Sequence, residues 1–138
     1  KSITIESIPG ATAFVPALIL SGLPTDRFVF EGFLPPKKGR KTRLEELVVE
    51  PRTMIFYESP YRIVKTLADF SREFGDRPAV IVREISKKFE QVVRGDLGEL
   101  SNNADSLTLK GEFVLVVGGL TRELLKERKK LEKMSRGY

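Results

Sequence analysis

The chain has 138 residues, the size of one domain, and its 41% hydrophobic and 31% charged composition belongs to a folded α/β core rather than a disordered segment. It contains neither Cys nor His, which excludes thiol nucleophiles, Cys/His zinc sites, imidazole bases and disulfides and leaves carboxylates, hydroxyls, amines and backbone for any chemistry. The net charge of +5 is concentrated in two places, Lys37–Arg43 and the tail Arg122–Arg136, and such clusters raise local affinity for phosphate.

In chain order, Ser2–Ser7 alternates Ile3 and Ile5 with polar neighbours and stops at Pro9-Gly10, as a strand would. Ala13–Leu20 is apolar on every side and reads as a buried helix, capped by Thr12, with Pro16 in its first turn and Gly22 as its stop. Phe28–Phe33 is a strand of aromatic and β-branched residues. Leu34–Thr42, with Pro35-Pro36, Gly39 and the first basic cluster, reads as an exposed loop, followed by a short helix over Leu44–Val49 that closes at Pro51.

Thr53–Tyr57 is a compact apolar strand, and Ser59-Pro60 has the chemistry of an N-cap followed by proline at the first helical position. The helix predicted there carries Ile63, Val64, Leu67, Phe70 and Phe74 at three- and four-residue intervals and ends at Gly75. Ala79–Arg83 and Phe113–Val117 are uninterrupted apolar runs, expected of central strands, while Phe89–Arg94 alternates and is expected nearer an edge. Residues 1–120 are therefore read as one domain and 121–138 as a basic amphipathic helical tail carrying Leu124, Leu125, Arg128, Leu131 and Met134.

This alternation predicts an α/β fold, a mixed, mostly open sheet flanked by helices, in which ligands collect beyond the carboxyl ends of the strands. Two strand-to-helix junctions stand out, Ile8-Pro9-Gly10-Ala11-Thr12 and Phe56-Tyr57-Glu58-Ser59-Pro60. Both place small residues and unpaired N–H groups where a ligand can approach, and both are equally ordinary turn and capping devices. Glu58 and Glu84 each end an apolar strand, where a carboxylate serves chemistry or pairs with Arg62 or Arg83. No phosphate-binding glycine loop, metal-ligand cluster or nucleophilic triad is present in the sequence.

Six blocks taken in order carry a more specific signal. Ile8-Pro9-Gly10-Ala11-Thr12-Ala13, Ser21-Gly22-Leu23-Pro24-Thr25-Asp26-Arg27-Phe28 and Phe30-Glu31-Gly32-Phe33-Leu34-Pro35 are followed by Arg52–Arg62, Arg83-Glu84-Ile85-Ser86-Lys87 with Arg94-Gly95, and Gly111–Val117. Together they resemble the ribosomal RNA small-subunit methyltransferase I family of the tetrapyrrole methylase superfamily, in which two α/β domains hold S-adenosyl-L-methionine between them. The resemblance implies 2′-O-methylation of a cytidine ribose in small-subunit ribosomal RNA. It reads this chain as the C-terminal domain, with the glycine-rich cofactor loop belonging to an N-terminal domain and the fragment inactive alone.

On the matching positions the resemblance places Pro9, Gly10, Thr12, Ala13, Tyr57, Glu58 and Ile85 beside the cofactor. Glu58 and Glu84 are the carboxylates nominated for catalysis, and no metal is implied. Serine is more usual than Thr12, and histidine more usual than Tyr61, in that family. Lys37, Lys38, Arg40, Lys41, Arg43 and Arg62 are the nominated RNA phosphate contacts. The expected partners are ribosomal RNA or a ribosomal subunit and a second copy of the chain, through Phe28, Phe30, Phe33 or the tail. With no signal peptide and no apolar run near ~18 residues, a cytoplasmic location without membrane contact is expected. Two other readings stay open: a methyltransferase domain acting on a porphyrin or corrin, and a non-catalytic RNA-binding or dimerisation module.

Overall fold

The computed structural model describes residues 13–86 and 89–137, with the side chains of residues 84–90 outside the description. The strand predicted at Ser2–Ser7, the junction Pro9–Thr12 and the capping role of Thr12 therefore lie outside the described residues.

Five strands, β1 (Phe28–Phe33), β2 (Thr53–Glu58), β3 (Pro78–Ser86), β4 (Phe89–Asp96) and β5 (Glu112–Val117), form one sheet in the order β1-β2-β5-β3-β4. β1 and β2 pair parallel, β5 runs antiparallel between β2 and β3, and β4 pairs antiparallel with β3 at the edge. β1, β2 and β3 consequently point the same way, and their carboxyl ends share one rim. The mixed α/β sheet follows the sequence reading, with the apolar runs at its centre and the alternating β4 at an edge.

The two faces are covered unequally. α2 (Arg40–Leu47), α3 (Ile63–Phe74) and α4 (Leu97–Asn102) cover the face built from Met54, Phe56, Ile81, Phe113 and Leu115. α3 is the strongest amphipathic element, burying Ile63, Leu67, Phe70 and Phe74, and the Phe70 ring packs 4.7 Å from Phe56 and 4.9 Å from Phe74 between centroids. The other face, Ile55, Val80, Val82, Val114 and Val116, is covered among the described residues by α1 (Phe14–Ser21) through Ala17 and Leu18.

Several expectations are corrected. The apolar segment at Ala13–Leu20 is not a fully buried helix among the described residues: α1 buries Ala17, Leu18 and Ser21 and leaves Ile19 70% exposed. Gly22 does stop α1, with a left-handed φ of 72°. The loop read over Leu34–Thr42 buries Leu34 and turns into α2 at Arg40, four residues before the predicted helix start. α3 begins at Ile63 rather than at Pro60, after a turn in which the N–H groups of Arg62 and Ile63 both donate to the Ser59 carbonyl. α4 and the 3-10 turn at Ala104–Ser106 were not anticipated.

At the opposite rim, the Gly118 N–H donates to the Pro78 carbonyl and the Leu120 N–H to the Glu50 carbonyl, tying the end of β5 to its neighbours. Here Arg77 is buried, donates to the Val48 carbonyl and stacks on Phe74, while its Nε and Nη1 lack partners among the described residues. Burial pushes its pKa down to about 10. A Cβ at Gly119 would collide with the Pro51 backbone and lie 2.6 Å from the Arg52 carbonyl oxygen. Gly119→Ala is therefore expected to destabilise the fold by roughly 2–4 kcal/mol through forced backbone displacement, as read from the urea midpoint. Ala at Gly22, whose Cβ position is open, should cost about 1 kcal/mol for the left-handed conformation alone.

Candidate active site

Of the two junctions expected to approach a ligand, the one at Phe56–Pro60 lies at the rim shared by β1, β2 and β3. There Phe33, Leu34, Pro36, Glu58, Ser59, Tyr61 and Arg62 line a cavity of about 470 Å³, half open to solvent. Phe33, Leu34 and Pro36 give it an apolar wall. Tyr61 and Arg62, on the turn that follows β2, stand exposed at its mouth. A volume of this size falls within the roughly 300–1,000 Å³ of small-molecule clefts. Among the described residues the cavity is open on one side.

Glu58 is the buried polar residue of that rim, 6% exposed, and both of its carboxylate oxygens have partners. The Ser59 N–H donates to Oε1 at 2.9 Å, and the Thr66 hydroxyl donates to Oε2 at 2.6 Å. Thr66 in turn accepts from Arg40 Nη2 at 3.0 Å, and Arg40 pairs with Asp69 at 2.9 Å and donates to the Pro35 carbonyl at 3.2 Å. Arg72 closes the chain on Asp69 Oδ1 at 3.0 Å. One buried guanidinium thus joins the Pro35 loop, α2 and α3 to the end of β2, with two carboxylates around it.

This network changes the reading of several nominated residues. Arg40, nominated as a phosphate contact, is instead buried: it is 7% exposed, and its donors are spent on Asp69, Thr66 and Pro35. Arg43 is held by Glu31 and Glu46, and these carboxylates, Glu31 first, hold its pKa above the ordinary arginine value. Lys37, Lys38, Lys41 and Arg62 remain exposed, with no ion pair among the described residues.

Tyr57 and Glu58, adjacent in β2, point to opposite faces of the sheet as the strand period requires. Tyr57 stands edge-on to Phe30 at 5.2 Å and to Phe33 at 5.6 Å, on the α1 side. It joins Phe14, Phe28, Phe30 and Phe33 in an aromatic row in which Phe33 is 67% exposed. Arg83 donates to Gln91 Oε1 and to the Lys110 carbonyl. The Glu84 backbone lies opposite Glu112, and Ile85 lies one residue further along β3 on the same rim, with both side chains outside the description. Ala13 is half-buried at the start of α1, on the face carrying Val114 and Val116; Pro9, Gly10 and Thr12 lie outside the described residues.

Sequence reasoning missed Thr66 and Asp69, although one signal was available. Both share the buried face of α3 with Ile63, Leu67 and Phe70, and a carboxylate at core spacing requires a buried cation. Among the described residues no group of three or more Asp or Glu is arranged to hold a metal, and no helix is long and apolar enough to cross a membrane.

Comparison with known proteins adds to this geometry. The model of the tetrapyrrole (corrin/porphyrin) methylases matches residues 1–101. Ribosomal RNA small subunit methyltransferase I of Pseudomonas aeruginosa is 47% identical over 121 residues, 85% of this chain and 43% of that relative. Its namesake in Halalkalibacterium halodurans is 48% identical over 120 residues, 86% and 42%. The chain thus spans less than half the length of these curated relatives. Among solved structures, the fold is similar to a cobalamin biosynthetic cobalt precorrin-4 methyltransferase, with a TM-score of 0.60 and 18% identity over 84% of this chain and 52% of that one.

Proposed function

We propose, from the premise that this chain belongs to the tetrapyrrole (corrin/porphyrin) methylase family, that it is the C-terminal wall of a methyl-transfer cleft serving small-subunit ribosomal RNA. The observation that carries the reading is the common rim: β1, β2 and β3 deliver the apolar loop after Phe33, the Ser59–Arg62 turn and the Glu84–Ile85 backbone to one end of the sheet. The substrate class follows the relatives at 47–48% identity, whereas the precorrin enzyme at 18% shares the fold alone.

Members of this family generally use S-adenosyl-L-methionine. The rim suits one side of such a group, with Phe33, Leu34 and Pro36 against its apolar parts and Tyr57, Glu58 and Ile85, with Pro9, Gly10, Thr12 and Ala13 from the preceding junction, as the nominated cofactor neighbours. When bound, the cofactor supplies an electrophilic methyl group. What this chain contributes is position and dryness: the apolar wall excludes water from the nucleophilic ribose oxygen, and the Ser59–Arg62 turn fixes the approach. Placement of this kind is worth up to about 7–11 kcal/mol in oriented reactions. Glu58, with both oxygens engaged, acts in this proposal by holding that turn rather than by taking a proton, and Glu84 remains the carboxylate nominated as base.

Lys37, Lys38, Lys41 and Arg62 are the proposed phosphate contacts beside the cleft. The exposed row Phe28, Phe30 and Phe33 on edge strand β1 is the proposed contact with a second copy of the chain. A ribosomal RNA substrate accords with a cytoplasmic location in this proposal.

The test joins this chain to the N-terminal half of a relative and follows labelled methyl from S-adenosyl-L-methionine. Label is expected in the ribose of small-subunit ribosomal RNA, with none transferred by the chain alone. Label on a porphyrin precursor instead would establish the tetrapyrrole reading. RNA binding without any transfer by the joined protein would establish a non-catalytic module.

A further inference from the structure

The helix α5 (Arg122–Ser135) stands apart from the rest of the molecule, because none of its residues is buried. Residues 122–138 hold seven basic and three acidic side chains, so +4 of the chain's net +5 resides there. α5 starts from the amino-terminal rim of β2 and β3, the end of the sheet opposite the cleft, where Gly118 bonds Pro78. The Thr121 hydroxyl caps it by accepting from the Leu124 N–H at 3.2 Å, and Arg128 pairs with Glu132 one turn on.

The charges are sorted by face. Leu124, Glu127, Arg128 and Leu131 line a groove of about 500 Å³ against Val48 and Phe74, which fixes the inward side of the helix. At about 100° per residue, Arg122, Lys126, Lys129, Lys130, Lys133 and Arg136 then fall within an outward arc of roughly 120°. All six are exposed, and none makes an ion pair among the described residues. The three glutamates, Glu123, Glu127 and Glu132, all lie outside that arc. A solvated helix of mixed charge would interleave the two signs; this one presents an unbroken cationic strip roughly 21 Å long.

We infer that the outward face of α5 is a second RNA-binding surface, which grips the phosphate backbone remote from the cleft; this rests on the RNA reading above. The strip offers only cationic donors, the side chains that contact phosphate, and its contribution is expected to be independent of sequence. It also lacks the large apolar residues that a membrane-surface helix inserts, since Leu124 and Leu131 face the groove and Leu125 and Met134 lie at the margins of the strip. Polynucleotide rather than bilayer is the partner that fits.

The experiment replaces all six by glutamine, a good helix former, in the full chain, with circular dichroism to verify helicity and a milder Lys129→Glu/Lys130→Glu pair as a second variant. Binding to small-subunit ribosomal RNA and to an unrelated RNA of equal length is measured against salt. The slope of log affinity against log salt is expected to become shallower by about 3–5 on both RNAs, with affinity at ~100 mM salt falling on the order of tenfold to a hundredfold. The charge-reversed pair should lie between this variant and the parent. Unchanged affinity and slope would overturn the inference. So would loss of binding to phosphatidylcholine–phosphatidylserine vesicles with RNA binding intact. Methyl transfer by the joined protein is read separately, so failure here leaves that reading standing.

Discussion

Replacing Arg40 by methionine is expected to lower the stability of the chain by about 3–5 kcal/mol, the cost of leaving buried charges unpaired. The guanidinium is the only group within hydrogen-bonding distance, among those described, that links Asp69 to Thr66 and both to the Pro35 loop. Its loss leaves the Asp69 carboxylate, which is 7% exposed, with Arg72 alone, and that arginine is itself exposed. The urea midpoint should fall with no change in m value. The RNA-contact reading of Arg40 makes the opposite forecast, intact stability with weakened RNA binding. Replacing Arg40 and Asp69 together by apolar residues should recover much of the loss, because removing both charges also removes their desolvation cost.

Glu58→Ala is expected to cost about 2–4 kcal/mol by stripping the Thr66 hydroxyl and the Ser59 N–H of their buried acceptor. In the joined protein this loss should carry methyl transfer down with it, since the turn that Glu58 holds also carries Tyr61 and Arg62 into the cleft. Glu58→Gln retains an acceptor for Thr66 and should recover part of both the stability and the kcat. A base behaves otherwise: glutamine would leave stability nearly intact and abolish turnover. Measuring denaturation and kcat on the two variants separates a positioning carboxylate from one that takes the proton.

The sheet was legible because burial on both faces writes itself as unbroken apolar runs. Ala79–Arg83 and Phe113–Val117 became inner strands, and Phe28–Phe33 matched β1 at both ends. α3 was legible for the complementary reason, a helical period of apolar residues strong enough to survive Thr66 and Asp69 on the same face. α4 was not, since six residues with Gly98 in the first turn offer only Leu97 and Leu100 as a buried pair.

Of the two junctions that the sequence singled out, the one at Phe56–Pro60 lies among the described residues, at the end of β2. Strand direction brings the ends of β2 and β3 to one rim. No local pattern, however, distinguishes a buried arginine from its exposed neighbours in Lys37–Arg43. The distinction lies in contacts to residues 26 and 29 positions further along the chain. Tyr57 and Glu58 show the same limit: a sequence block groups adjacent residues, while a strand sends them to opposite faces.

The most direct test is amide hydrogen exchange on the joined protein with and without S-adenosylhomocysteine. Slower exchange is expected at the Leu34 segment, the Tyr61–Ile63 turn and the Glu84–Ile85 backbone, with the Gly118–Leu124 segment at the far end of the sheet unaffected. Protection confined to Gly118–Leu124, with the strand ends at Phe33, Glu58 and Ser86 unchanged, would put the cofactor at the wrong end of the molecule.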